Sequence, residues 1–221
     1  MNILITGTSA GIGKAIAEKF LEKNHNVWGF DRSESTIYKE GYTHFQLDVR
    51  DEASYPADLK PDILINNAGV QDSGEDIDIN LKGVIRITEH YAFHNENIRS
   101  VVNIGSASAH TGSEFPEYAA SKGGLTAYTK NVANRLAPQA ICNSIDPGGV
   151  LTELNRCVMD DPKLWEQIME LTPLKRWASP EEIADWVYFV AVENLFMTGQ
   201  NLLIDGGEAG NTKFIWPDMP E

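Results

Sequence analysis

Two residues four positions apart, Tyr118 and Lys122 in the run Tyr118-Ala-Ala-Ser-Lys122, form a combination that can move a proton. On a helix this spacing puts both side chains on one face. A free phenol, with a pKa of about 10, is a poor base near neutrality. A cation beside it favours the phenolate and makes it a usable general acid or base. The pair alone is common on solvated helices, so its surroundings decide. Ser106 precedes Tyr118 by twelve residues and follows an apolar run directly. Its hydroxyl would sit at the carboxyl end of a strand, able to hydrogen-bond a substrate oxygen and stabilise charge there.

A second constellation opens the chain. Thr6-Gly-Thr-Ser-Ala-Gly-Ile-Gly13 lies between a strand-like run, Asn2–Thr6, and a helical pattern with Ile12, Ala15, Ile16, Phe20 and Leu21 on one face. Gly7, Gly11 and Gly13 let the backbone turn tightly and approach a pyrophosphate, with Ser9 and Ile12 between them. The helix beginning near Gly11 aims free N–H groups and its positive dipole end at that anion. Eighteen residues after Gly13, Asp31 ends the second strand-like run. A carboxylate there accepts hydrogen bonds from the adenosine ribose and repels a 2′-phosphate, so NAD is expected rather than NADP. Arg32 and Lys14 are the nearby cations that work against this preference.

The elements that must position these residues are legible as alternation. Asn26–Phe30, Thr43–Leu47, Asp62–Ile65, Ser100–Ile104, Ala140–Ile145 and Asn201–Ile204 read as further strands. Helices are predicted over Glu75–Phe93, Pro116–Leu136 and Ser179–Val192, the last opening on a capping box with proline at its first position. Strand–helix alternation predicts an α/β fold: a single Rossmann-type doubly wound parallel sheet, helices on both faces, with residues 1–221 as one domain.

A net charge of −14 argues against nucleic acid or an anionic membrane surface as partner. No run approaches the length of a membrane span, and strand-like residues from Asn2 onward leave no room for a leader. Cys142 and Cys157 form no framework of bridges. A cytoplasmic location is expected. His90 and His94 have the spacing of helical zinc ligands, but Tyr91 stands where an HExxH motif needs glutamate, so no metal is expected. His110 follows the Ser106 strand closely and reads as a loop histidine or as lining for the substrate side.

Together these residues resemble the short-chain dehydrogenase/reductase family, in its short single-domain branch. The resemblance spans TGTSAGIG at 6–13, Asp48-Val49, Asn66-Asn-Ala-Gly69, Asn80-Leu-Lys-Gly83, Ser106, YAASK at 118–122, Asn143, Pro147-Gly-Gly-Val-Leu-Thr152 and Asp205-Gly-Gly207. It implies Tyr118 as acid/base and Ser106 as substrate orienter, with Ser108 a nearby competitor. Lys122 would hold the nicotinamide ribose and lower the tyrosine pKa, and Asn80 would support a water chain to that lysine. Asp48 and Val49 would meet the adenine, and Asn67, Ala68 and Gly69 would line the adenosine side. Pro147, Gly148, Val150 and Thr152 would embrace the nicotinamide, while Asn66 would clamp strands. The implied activity is NAD-linked hydride transfer on a small alcohol or carbonyl substrate, in a homodimer or homotetramer. An NADPH-linked 3-oxoacyl carrier-protein reductase and a non-catalytic NAD(H) sensor are the alternatives; Asp31 and Ala10 weigh against the first, the intact Asn80, Ser106, Tyr118 and Lys122 against the second.

Two stretches are shorter than the family pattern: eighteen positions from Asp48 to Asn66 and eleven from Gly69 to Asn80. They predict a mere turn around Asp51–Lys60 and a more open active-site wall. Residues 153–177 match the position of a substrate lid, or equally a helix pair packed on the core. Residues 208–221 form a tail whose Phe214, Ile215 and Trp216 are expected to pack on the body or a neighbouring subunit.

Overall fold

Apolar runs that are buried on both sides become the central strands of one sheet. The computed structural model describes residues 1–113 and 115–210. In chain order it places β1 (Asn2–Thr6), α1 (Gly11–Glu22), β2 (Asn26–Asp31), β3 (Tyr42–Gln46) and β4 (Ile63–Asn66). There follow a π-helical turn, Ile77–Gly83, running into α2 (Val84–Tyr91), then β5 (Ser100–Ile104), α3 (Ser108–Thr111), α4 (Pro116–Leu136) and β6 (Ile141–Pro147). The last elements are α5 (Arg156–Met159), α6 (Pro162–Leu171), α7 (Pro180–Tyr188) and β7 (Asn201–Ile204).

The seven strands are all parallel, in the order β3-β2-β1-β4-β5-β6-β7. The order reverses between β1 and β4, and ligands in such sheets bind outside the carboxyl ends at that point. Ile3, Ile5, Ile65, Val102 and Ile145 pack one way, against Ile16 and Phe20 of α1 and Ile183 and Val187 of α7. Leu4, Leu64, Val101 and Cys142 pack the other way, against Ile87 and Tyr91 of α2 and Val132 and Leu136 of α4. Each fully buried Leu or Ile contributes about 1.5–3 kcal/mol, so the two faces together specify the register.

The structure departs from the sequence reading in the helix before β5 and keeps to it between β3 and β4. The helix predicted over Glu75–Phe93 begins instead as a π-helical turn, because Asn80 is tied sideways to the backbone of Val70. Between β3 and β4 only a 3-10 turn, Glu52–Ser54, remains, as the short spacing implied. Buried Tyr55 fills the space, its hydroxyl donating to the Val49 carbonyl and its ring lying against Tyr91. Residues 153–177 are a string of short elements with no buried side chain in α5 or α6. The tail aromatics Phe214, Ile215 and Trp216 lie outside the described residues. Among the described residues, no helix is long and apolar enough to cross a membrane.

Candidate active site

The glycine turn is built by backbone conformation and by latches from β4. Gly7 and Gly11 adopt φ of +75° and +54°, where a side chain would be strained. A Cβ on Gly13 would lie 2.0 Å from the Gly7 carbonyl, so α1 can approach the turn only through glycine. Thr6 Oγ1 accepts from the backbone N–H groups of Asn67 and Ala68, both at 3.0 Å. The Asn67 amide in turn donates to the carbonyls of Thr6 and Gly7. The carboxyl ends of β1 and β4 are thereby sewn together at the switch point.

Two observations fit this turn to a phosphate-bearing dinucleotide. Ala10, the residue that caps α1, offers no side-chain acceptor to the helix N–H groups, which leaves them for an anion. The Ser9 hydroxyl is buried and has no hydrogen-bond partner among the described residues. Beside the turn opens a cleft lined by Gly7, Phe30, Asp31, Arg32, Leu47, Asp48, Val49, Ala68, Gly69, Val70 and Ile79. Of the residues expected to meet the adenosine, Asn67 alone is turned away into the latch. Asp31 accepts from Ser9 N–H at 2.9 Å and Ser33 N–H at 2.8 Å, so it also braces the turn. Asp48 is gripped by Arg50, whose guanidinium holds its carboxyl below the usual carboxylate range and also reaches Glu75.

Tyr118, Lys122 and Ser106 converge above β5. Pro116 starts α4, which places Tyr118 half-buried in its first turn and Lys122 one turn deeper. Lys122 is 5 % exposed, and its Nζ lies 5.7 Å from the Tyr118 ring centre. Nζ donates to the carbonyl of Ile104 at 2.9 Å. Burial pulls its pKa down to about 8, against the opposing charges of Asp146 and Asp76. Ser106 follows β5; its hydroxyl donates to Ser108 Oγ at 3.2 Å and accepts from Ser108 N–H at 3.1 Å. The two serines thus form one short network with Ser106 at its head. Asn80 is fully buried; its amide donates to Val70 O and Ser121 Oγ while Oδ1 accepts from Val70 N–H. Its side chain therefore fixes the wall beside Gly69 and the first turns of α4. Asn66 donates to Asn103 on β5 and Thr88 on α2, a clamp between strands and helix.

The loop after β6 closes the site. The N–H of Ala107 donates to the Pro147 carbonyl at 2.8 Å, joining it to the Ser106 segment. A Cβ on Gly148 would lie 2.8 Å from that of Asp205, so this turn too needs glycine. Val150 is buried and pairs as a bridge with Ala178. Thr152 lies over Gly11, its methyl 3.5 Å from where a Cβ would stand, so this loop meets the glycine turn. The segment that follows carries Trp165 edge-on to Trp177 at 5.0 Å, with Leu154 and Leu171 more than half exposed.

Some participants were not legible. His110 lies on the one-turn helix α3 and pairs with Asp146, 2.5 Å away, rather than standing as a plain loop histidine. Asp146 and Asp76, both buried acids, carried no motif. Asp146 ends a strand that also carries Asn143 and Ser144, so its acid gave no separate signal. Among the described residues, no group of three or more His, Cys, Asp or Glu is placed to hold a metal ion.

Comparison with known proteins gives the site a context. A family model for enoyl-(acyl carrier protein) reductase matches residues 7–208. The 3-oxoacyl-[acyl-carrier-protein] reductase FabG of Vibrio harveyi is 31% identical, over 92% of this chain and 95% of its own length. A 4-hydroxyisoleucine dehydrogenase solved with NADH superposes with a TM-score of 0.88 at 28% identity, covering 96% of this chain and 99% of that one. A dehydrogenase from Agrobacterium tumefaciens solved with NADP gives 0.86 at 27% identity, covering 95% and 96%.

Proposed function

We propose, since the chain belongs to the short-chain dehydrogenase/reductase family of oxidoreductases, that it interconverts a secondary alcohol and a ketone with NAD(H) as the hydride partner. The observation that carries this reading is the buried Lys122 amine beside Tyr118, next to Ser106 at the end of β5. The cofactor, when bound, supplies or accepts the hydride at the substrate carbon. In the reducing direction Tyr118 gives its phenolic proton to the carbonyl oxygen; in the oxidising direction its phenolate takes the proton back. Ser106 orients that oxygen, and the Lys122 ammonium stabilises the phenolate. Gly7, Ser9, Gly11, Ile12 and Gly13 would hold the pyrophosphate, Asp31 the ribose, and Asp48, Val49, Asn67, Ala68 and Gly69 the adenosine side, Asn67 through its backbone because its amide serves the latch. Lys122 would hold the nicotinamide ribose, with Pro147, Gly148, Val150 and Thr152 around the nicotinamide. One domain spanning residues 1–221, with 153–177 as its lid, acting in the cytoplasm as a homodimer or homotetramer, completes the reading.

NAD is favoured by Asp31, because a 2′-phosphate would meet a carboxylate in the same cleft. Arg32 lines that cleft as well, and it is the observation that favours the second reading, NADPH-linked reduction of a 3-oxoacyl group. The test is a panel of small ketones and 3-oxoacyl thioesters with each reduced cofactor. NADH is expected to give the larger kcat/KM by at least tenfold, and Asp31→Ala to erode that ratio. A wild-type preference for NADPH, unchanged in Asp31→Ala, would overturn the assignment.

A further inference from the structure

Asp146 lies at the end of β6, fully shielded from solvent. Its Oδ2 is 2.5 Å from Nε2 of His110 on α3. Its Oδ1 has no hydrogen-bond partner among the described residues and packs on Gly105, where a Cβ would come within 2.0 Å of it. Gly105 follows Ile104, whose carbonyl holds the Lys122 amine. The carboxylate on β6 therefore packs against the end of β5 that seats the ammonium, and the register of β5 with β6 places Asn103 and Ser144, and beyond them Gly105 and Asp146, on the α4 side. His110, with 32 % of its side chain exposed, is the pair's contact with solvent.

The charges around this cluster are few. Facing Lys122 are Asp146 from β6, Asp76 from the start of the π-helical turn, and Tyr118 from α4 itself. Facing Asp146 are His110 from α3, Lys122 from α4 and the Ser144 hydroxyl from β6. Burial pushes the Asp146 carboxyl up, while His110 and Lys122 pull it down. An unpaired buried carboxylate takes up a proton to escape its desolvation cost.

We propose that Asp146 and His110 form a charge-setting pair behind Lys122, positioning residues that keep the ammonium protonated and so fix the pH range in which Tyr118 exchanges its proton. The inference rests on the acid–base reading of Tyr118 and Lys122. His110 opposes the upward push of burial on the Asp146 carboxyl and so favours its anionic form beside Lys122. Without His110 that carboxyl is pushed further up, and the ammonium loses support from this neighbour.

Two readouts test it: the titration of Lys122 in 13C-lysine-labelled protein, its signal assigned by loss in Lys122→Met, and the pH dependence of kcat/KM for carbonyl reduction. Asp146→Asn should move the Lys122 midpoint from about 8 to lower pH by about one unit or more, with the matching limb of the rate profile. His110→Gln should shift both in the same direction, and the double variant should shift no further than Asp146→Asn. A Lys122 midpoint that stays in place in His110→Gln and in Asp146→Asn overturns the proposal. If Asp146→Asn does not fold, His110→Gln decides, since its side chain reaches solvent. If the wild type reduces no carbonyl yet the midpoint moves as expected, the pair stands and the acid–base reading falls.

Discussion

The ammonium of Lys122 is a charge held out of water for the sake of its neighbours, and that has a measurable cost. Its folded pKa of about 8 lies below the ordinary lysine value of 10.5. The unfolded chain thus binds the proton more tightly than the folded one between those values, and stability must rise with pH across that window. From pH 8 to pH 10 the gain from this residue is about 2 kcal/mol. Above pH 10 the hydroxyls of buried Tyr55 and Tyr91 and of half-buried Tyr128, pushed well up by desolvation, work in the opposite direction. Urea unfolding at pH 8 and pH 9.5 should therefore show the wild type gaining stability relative to Lys122→Met. Parallel curves for the two proteins would mean that Lys122 is solvated in the folded state. The buried amides of Asn80 and Asn66 are less costly, because they carry no charge and donate to partners: Asn80 to Val70 and Ser121, Asn66 to Asn103 and Thr88.

Among the elements, α7 shows how a local signal becomes tertiary support. Ser179 accepts from Glu182 N–H while the Glu182 carboxylate accepts from Ser179 N–H, closing the box expected from the sequence. The cap sets the start of a helix whose Ile183 and Val187 are fully buried in the core shared with α1. Ser179→Ala should cost about 1 kcal/mol and lower Tm by about 2–4 °C, with kcat unchanged at temperatures where the protein is folded. A loss of kcat at such temperatures would mean that α7 shapes the site directly. Elements of this kind were legible because their signals are local: two-faced apolar strands, a capping box, proline at the start of α4. The π-helical turn at Ile77–Gly83 was not, since its cause is a bond from Asn80 to a loop ten residues earlier. Nor was the pairing of His110 with Asp146, whose partners are 36 positions apart and meet only because β5 and β6 are neighbours.

At the scale of the molecule, one sheet brings three distant segments to a common edge. The glycine turn follows β1, the Asn67–Gly69 segment follows β4, and Ser106 follows β5, all at carboxyl ends on or beside the switch point. The loop after β6 adds Thr152 over Gly11 and ties Pro147 to Ala107, so hydride and proton groups would share one cleft. The acidic surface, with a net charge of −14, suits a neutral or weakly charged small substrate better than an anionic polymer. On the proposed function this arrangement serves a proton transfer by Tyr118. It is tested most directly by Tyr118→Phe, assayed for NADH binding by fluorescence and for carbonyl reduction under single-turnover conditions. The expected result is an NADH Kd within a few-fold of wild type and a rate reduced by at least a thousandfold, about 4 kcal/mol in the barrier. Reduction at an undiminished rate by Tyr118→Phe would contradict it.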